Sequence, residues 1–228
     1  MAQGEKTTSA NPGKRKRRSK GEQTREVILD GALRVIARDG LRGVTHRAVA
    51  AEAGVQLSLT TYYFKDIGAL ILEAFELFCV RSRPTNEQIW GEIFAYLDGF
   101  SGTELRKTPV REAIAQHLSQ RATEILLGGV LENPEGLAVE QVFFTSVLQS
   151  PSLRELAAAH RASLITPLVE ICRRFNKQDP ELDAQLLLDT MTRLEYEALS
   201  VEPEDIDRDH IHKLLRRQIG WALGLKSA

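Results

Sequence analysis

Val44-Thr45-His46-Arg47-Ala48-Val49-Ala50-Ala51-Glu52-Ala53-Gly54-Val55-Gln56-Leu57-Ser58-Leu59-Thr60-Thr61-Tyr62-Tyr63-Phe64-Lys65-Asp66 is the stretch on which the reading of this chain turns. Thr45 suits an N-cap, because its hydroxyl can accept from a free amide of the first helical turn. The short helix it opens is rich in alanine and runs through Val49, Ala50 and Ala53 to Gly54. Its small side chains permit close packing, Gly54 permits a tight turn, and Val55 plugs the space between helices. A further helix begins near Gln56 and ends about Tyr63. It carries Gln56, Ser58, Thr60, Thr61, Tyr62 and Tyr63, a polar and aromatic surface that a helix packed only for stability rarely presents. A helix lying in the major groove needs such groups. Gln and Thr read base edges, Leu57 can touch a thymine methyl, and tyrosine hydroxyls reach phosphates.

Upstream, Ile28, Ala32, Val35 and Ile36 follow i, i+4, i+7, i+8 spacing, and Gly40 supplies a stop. Either Ser19-x-x-Glu22, which has the form of a capping box, or Thr24 can start this helix. Three short helices with glycine-bearing connections in ~45 residues have the layout of a helix-turn-helix unit. Downstream the helices lengthen. Ile67, Leu70, Ile71, Ala74, Phe75 and Phe78 form one apolar face, which Arg83-Pro84 is expected to break. Further helices are expected at 85–98, 109–128, 135–149, 152–176, 180–199 and 205–223, separated at glycine and proline positions, with Pro167 kinking one of them. There is no β-alternation and no repeat. The fold class is all-α: an N-terminal three-helix unit joined to a larger C-terminal helical bundle.

Residues 22–70 resemble the DNA-binding domain of the TetR/AcrR family of bacterial transcriptional regulators. The likeness rests on the first helix ending at Asp39-Gly40, on Thr45, on Ala50-Ala51-Glu52-Ala53-Gly54-Val55, and on Thr61-Tyr62-Tyr63-Phe64-Lys65-Asp66. It implies that the third helix enters the major groove of operator DNA and that the remaining body binds an effector and dimerises. By position it assigns Gln56, Leu57, Ser58 and Thr61 to bases. Thr45, His46, Arg47, Tyr62, Tyr63 and Lys65 go to phosphates, and Phe64 becomes a plug against the first helix. Two positions depart from the family's habit. Ile67 stands where a lysine is common, which removes one cation from the phosphate-facing set. Thr60 stands where an aliphatic core residue is common, which leaves room for a slight rotation of the third helix and a base-facing set shifted by one.

The 228 residues carry a net charge of −1, but the charge is unevenly spread. Residues 1–70 sum to +6 and residues 71–228 to −7, with six cations between Lys14 and Lys20. A basic arm on an acidic body suits a polyanionic partner at one end, and the body's charge turns the wrong face away from phosphate. Residues 1–18 are read as a disordered basic arm, 19–65 as the DNA-binding domain, and 66–228 as the effector-binding and dimerisation domain. Two cysteines, Cys79 and Cys172, are too few for a disulfide framework, and the basic N-terminus leads into a polar stretch rather than a signal sequence. No run approaches the ~18 uncharged apolar residues of a membrane span. A cytoplasmic setting follows.

The five histidines (His46, His117, His160, His210, His212) do not fall into ligand spacing, so no metal is expected. The absence of a phosphate-binding glycine loop, a nucleophile elbow or a paired-carboxylate site argues against an enzyme, and no cofactor is implied. For an effector pocket the candidates are Phe75, Phe78, Trp90, Phe94, Phe143 and Phe144, with His117, Arg121 and Arg193 as polar groups. The alternative for the apolar set is plain core. For the His117 and Arg121 pair it is a surface ion pair with Glu124. Leu186, Leu187, Met191 and Leu194 are candidates for a homodimer interface. The expected function is a DNA-binding repressor released by a small hydrophobic or amphipathic effector. The alternative is a helical small-molecule binding protein whose DNA-binding unit is degenerate.

Overall fold

Thr45 opens its helix as the sequence predicts. Its Oγ1 accepts from the amide of Ala48 at 3.0 Å, and α2 then runs His46–Ala53. Gly54 closes α2 at φ 65°, ψ 31°, a left-handed conformation that costs glycine little. The computed structural model, which describes residues 20–145 and 150–225, places α1 (Lys20–Gly43) before it and α3 (Leu57–Tyr63) after it. Gly40 sets off the last turn of α1 at φ 66°. Ser19 and the basic residues 14–19 lie outside the described residues, as do 1–13. Thr24 is not the cap of α1: it sits one turn inside, and its hydroxyl donates to the Lys20 carbonyl at 2.9 Å.

Helices α1 and α2 approach closely because Gly31 has no side chain; a Cβ there would meet the Cβ of Ala53 at 2.8 Å. Arg34 and Arg38 of α1 both donate to Glu52 of α2 at 2.8 Å. Hydrogen bonds from Arg38 and then Arg34 hold the Glu52 carboxyl below its usual range.

Asp66 caps α4 (Ile67–Asp98) through the amide of Ala69 at 2.8 Å. The expected break at Arg83-Pro84 does not occur, and α4 continues unbroken through Pro84 to Asp98. Its two ends are held by different cores, which outweighs the single backbone hydrogen bond that proline removes. After a 3-10 turn at Glu104–Arg106 comes α5 (Thr108–Glu132). It runs through Gly128-Gly129, where a stop was expected, and ends before Pro134. Then follow α6 (Pro134–Thr145), α7 (Pro151–Arg173), α8 (Pro180–Ala198) and α9 (Arg208–Ala222). The tail of the helix expected at 135–149 falls on residues 146–149, outside the described residues. The last helix starts later than 205 because Asp207 is its cap, accepting from His210 at 2.9 Å. Among the described residues there is no strand.

Two apolar cores organise these helices. One gathers Ile28, Ala32 and Val35 of α1, Val49 of α2, Phe64, and Leu70, Ala74 and Phe75 of α4, together with Phe143 of α6 and Ala157 of α7. The other joins Leu97 at the end of α4 to α5, the second half of α7, α8 and α9. The first core therefore does not end at residue 65. It extends into α6 and α7, and α1 packs directly on α6.

Candidate nucleic-acid interface and effector cavity

Helix α3 is short, and its inner side is fixed by Thr60 and Phe64. Thr60 is fully buried, and its hydroxyl donates to the Leu57 carbonyl at 2.8 Å and lies 3.5 Å from the carbonyl of His46. The hydroxyl thus finds partners inside the domain, so a polar residue serves in the core position. Gln56, Leu57, Ser58, Thr61 and Tyr62 all lie outside. Phe64 is 1% exposed in the α1 core, with the Arg25 guanidinium 5.3 Å from its ring centroid.

The outer face is chemically open. Gln56 is the N-cap residue of α3 but makes no side-chain capping bond, so its amide is available. Thr61 donates to the Ser58 carbonyl at 3.1 Å and keeps its oxygen lone pairs. Tyr62 is 78% exposed and meets Tyr63 edge to face, with centroids 5.1 Å apart. Tyr63 is half-buried against the first core. The approach of Thr60 to His46 brings the start of α2 beside α3. Thr45 and Arg47 are exposed there, His46 is half-buried, and Lys65 is exposed just beyond α3. Ile67, in place of a lysine, is half-buried against the same core.

In the body, a cavity of about 730 Å3 lies between the two cores. Asp30, Leu33 and Arg34 of α1 form part of its wall, as do Phe78, Arg81 and Trp90 of α4. Glu140 of α6, Met191 and Glu195 of α8, and Leu215 and Ile219 of α9 add to it, with residues of α5 and α7 such as Leu118 and Leu168. Gly128 and Gly129 line it as well, so the pair expected to end a helix makes room instead.

Of the expected pocket residues, Phe78 and Trp90 line this cavity. Phe94 lines a smaller cleft of about 530 Å3 with Cys79 and His160. Phe75 and Phe143 stack on each other at 3.9 Å in the first core, and Phe144 stacks on His160 at 5.8 Å. His117 stacks on Tyr96 at 3.9 Å, and Arg121 pairs with Glu92 at 2.7 Å and Glu124 at 3.2 Å. Arg193 is exposed beside Glu197, at 3.0 Å. None of these last six lines the cavity: Phe75 and Phe143 fill core, Phe144 is half-buried, His117 is exposed, and the two arginines have acidic partners of their own. Of the expected interface residues, Leu186 is exposed, Leu187 and Leu194 are buried in the body's own core, and Met191 lines the cavity.

Two polar groups that the sequence does not single out stand at the cavity and at the smaller cleft: Glu195 lines the first and His160 the second. His160 of α7 donates from Nε2 to Glu140 at 2.7 Å. Burial works against its protonation, but Cys79 and Glu140 outweigh it and raise the imidazole to about 9. The side chain of Glu195 makes no hydrogen bond or ion pair among the described residues. Burial, with Glu140 nearby, pushes its carboxyl up to about 8. A signal for Glu195 was present: it continues the inward phase of Leu188 and Met191 at i, i+3 and i+7, where an acid is out of place.

A three-helix unit with an open polar face is thus set on a helical body with a cavity. Residues 28–74 match the family model of the bacterial regulatory proteins, tetR family, and the chain carries the DNA-binding domain of that family. Solved structures share the whole fold. A transcriptional regulator from Rhodococcus sp. Rha1 is 21% identical, with a TM-score of 0.60 over 88% of this chain and 96% of its own. A TetR-family member from Streptomyces coelicolor A3 is 23% identical, with 0.55 over 86% and 98%. A putative regulator from Saccharomonospora viridis, in complex with choline, is 20% identical, with 0.60 over 87% and 96%. No curated protein sequence matches the chain. No helix among the described residues is long and apolar enough to cross a membrane.

Proposed function

We propose that this chain is a cytoplasmic, homodimeric, sequence-specific DNA-binding repressor, released from its operator by a small hydrophobic or amphipathic effector. Residues 19–65 form the DNA-reading unit and 66–228 the unit that senses and pairs. Gln56, Leu57, Ser58 and Thr61 meet bases; Thr45, His46, Arg47, Tyr62, Tyr63 and Lys65 meet phosphates. The observation that carries this reading is the shared wall of the cavity: α1 of the DNA-binding unit and α4 of the body both face it. A molecule inside bears on the reading unit directly, without relay through intervening helices. Binding of effector and of DNA are then linked, and each weakens the other by the same factor. The choline complex of the Saccharomonospora viridis relative is in line with a ligand-binding body of this architecture.

Dimerisation sets two recognition helices about 34 Å apart, one turn of DNA. Helices α8 and α9 pack together, and each leaves large apolar side chains outside: Leu182 at 58% and Leu186 at 47% on α8, Trp221 at 52% on α9. Such residues are the natural material of a paired surface. Fluorescence anisotropy with DNA from the region upstream of the chain's own gene tests the function. Tight binding to that fragment and weak binding to a scrambled one is expected; equal binding to both would overturn sequence-specific recognition.

A further inference from the structure

Most charged groups around the cavity already have a partner. Glu140 is met by His160 at 2.7 Å, Arg34 by Glu52 at 2.8 Å, and Arg81 by Asp30 and by Glu26 at 3.1 Å. Glu132 and Glu135 are exposed at the rim, where water serves them. Glu195 differs from all of these. It stands on the inner wall among Leu188, Met191 and Leu215, with no donor to satisfy it. An interior acid without a partner is costly to ionise, and proteins keep such groups where something binds them.

From this we infer that the cavity takes a lipophilic cation: an apolar molecule with one ammonium group, seated so that the positive charge meets Glu195. The inference rests on the reading of the cavity as an effector site and adds the chemical class of the effector. A cation favours ionisation of the acid that the fold leaves alone and is matched by it on binding, whereas an anion finds no unpaired cation on the same wall, Arg34 and Arg81 both being held by acids. Apolar side chains take up the rest of the molecule, and the lining includes Phe78 and Trp90, whose aromatic rings are groups that attract a cation. The volume of about 730 Å3 suits a ligand of drug-like size.

Three probes with the same ten-carbon chain and different heads separate the possibilities: decyltrimethylammonium, decyldimethylphosphine oxide and decanoate. Each is titrated calorimetrically into the full chain, below its micelle concentration, and then into the chain bound to its upstream DNA. The cation is expected to bind at least tenfold more tightly than the neutral probe, with decanoate weakest, and to release the DNA. In Glu195→Gln the preference for cation over neutral probe is expected to fall about tenfold. A neutral or anionic probe that binds best and releases DNA overturns the cationic class while leaving the effector site standing. A preference that survives in Glu195→Gln overturns the role of that residue. Probes that bind without moving the DNA affinity, or do not bind at all, overturn the effector-site reading itself. The ranking of the three probes on the unaltered chain needs no variant, so a Glu195→Gln chain that folds poorly does not protect the proposal.

Discussion

Arg81 of α4 and Asp30 of α1 form an ion pair that is also part of the cavity wall. The same guanidinium reaches Glu26 at 3.1 Å, one helical turn earlier on α1. Hydrogen bonding to Asp30 above all keeps Arg81 charged in spite of its partial burial. The body thus grips the DNA-binding unit at a point that a ligand can touch. Arg81→Ala is expected to uncouple the two: decyltrimethylammonium still binds, but the ratio of DNA affinities with and without it shrinks. Because the pair is partly exposed, its loss should cost no more than about 1 kcal/mol of stability. Anisotropy titrations with and without the probe, beside a thermal melt, separate the two effects.

Thr61→Ala and Tyr62→Ala address the reading face. Both side chains are outside, so each variant should melt within about 0.5 kcal/mol of the parent. Removing a hydrogen bond to a base costs roughly 1–3 kcal/mol, or about 5- to 150-fold in affinity. Thr61→Ala should therefore weaken operator binding strongly and relax base preference. Tyr62→Ala should weaken operator and unrelated DNA alike. Unchanged affinity in both would remove α3 from the interface.

On the proposed reading the basic run at 14–20 would add charge without sequence information. Deleting residues 1–18 should weaken binding to every DNA fragment. For each phosphate that the arm neutralises, its deletion should flatten the slope of log K against log salt by up to ~0.9. A salt titration of both chains on the same fragment measures this directly, and an unchanged slope would place the arm off the DNA.

Gly31→Ala tests how α1 holds α2. The added methyl would meet the Cβ of Ala53 at 2.8 Å and its backbone nitrogen at 3.0 Å, and neither can swing away. The helices must separate, at a cost of about 1–3 kcal/mol. Since α3 is carried on α2, operator affinity should fall with the melting temperature. Retained stability together with full affinity would show that the two helices tolerate the shift.

Two groups make stability depend on pH in the same direction. Glu195 is raised from 4.5 to about 8 in the folded chain, and His160 from 6.5 to about 9. In each case the folded state keeps a proton that the unfolded state has released. Stability is therefore full at the lower value and lost as pH rises through the higher one. Glu195→Gln removes the first contribution, so its melting temperature relative to the parent should climb between about pH 4.5 and 8 and then level off. A flat difference curve would mean that the carboxyl is solvated after all.

The helix-turn-helix unit was legible because its signals are local. Thr45 and Gly54 report backbone conformations, and the α1 stripe reports one buried face. Helix ends were harder to read where tertiary structure decides. Pro84 and Gly128-Gly129 have the chemistry of breaks, yet packing on both sides carries the helices through them. The cavity was largely hidden, for a physical reason. Aromatic residues such as Phe75 and Phe143 attract attention by their size, but size fills space and a cavity lies where filling stops. Glu195 was the better clue, an acid in register with leucines. Thr60 shows the converse, since a polar residue sits in a core without penalty when its hydroxyl is bonded to its own helix.

Pro84 has one further consequence. With the proline absorbed, α4 is a single rod of 32 residues, about 48 Å long at 1.5 Å per residue. Its first half belongs to the core that carries the reading helix, and its far end is anchored in the other. A tilt of one degree about that anchor displaces the near end by about 0.8 Å, which is enough to strain a hydrogen bond to a base. On the proposed reading, an occupant of the cavity would be a shim beside this lever: its thickness, more than its tightness of binding, would fix how far the tip swings.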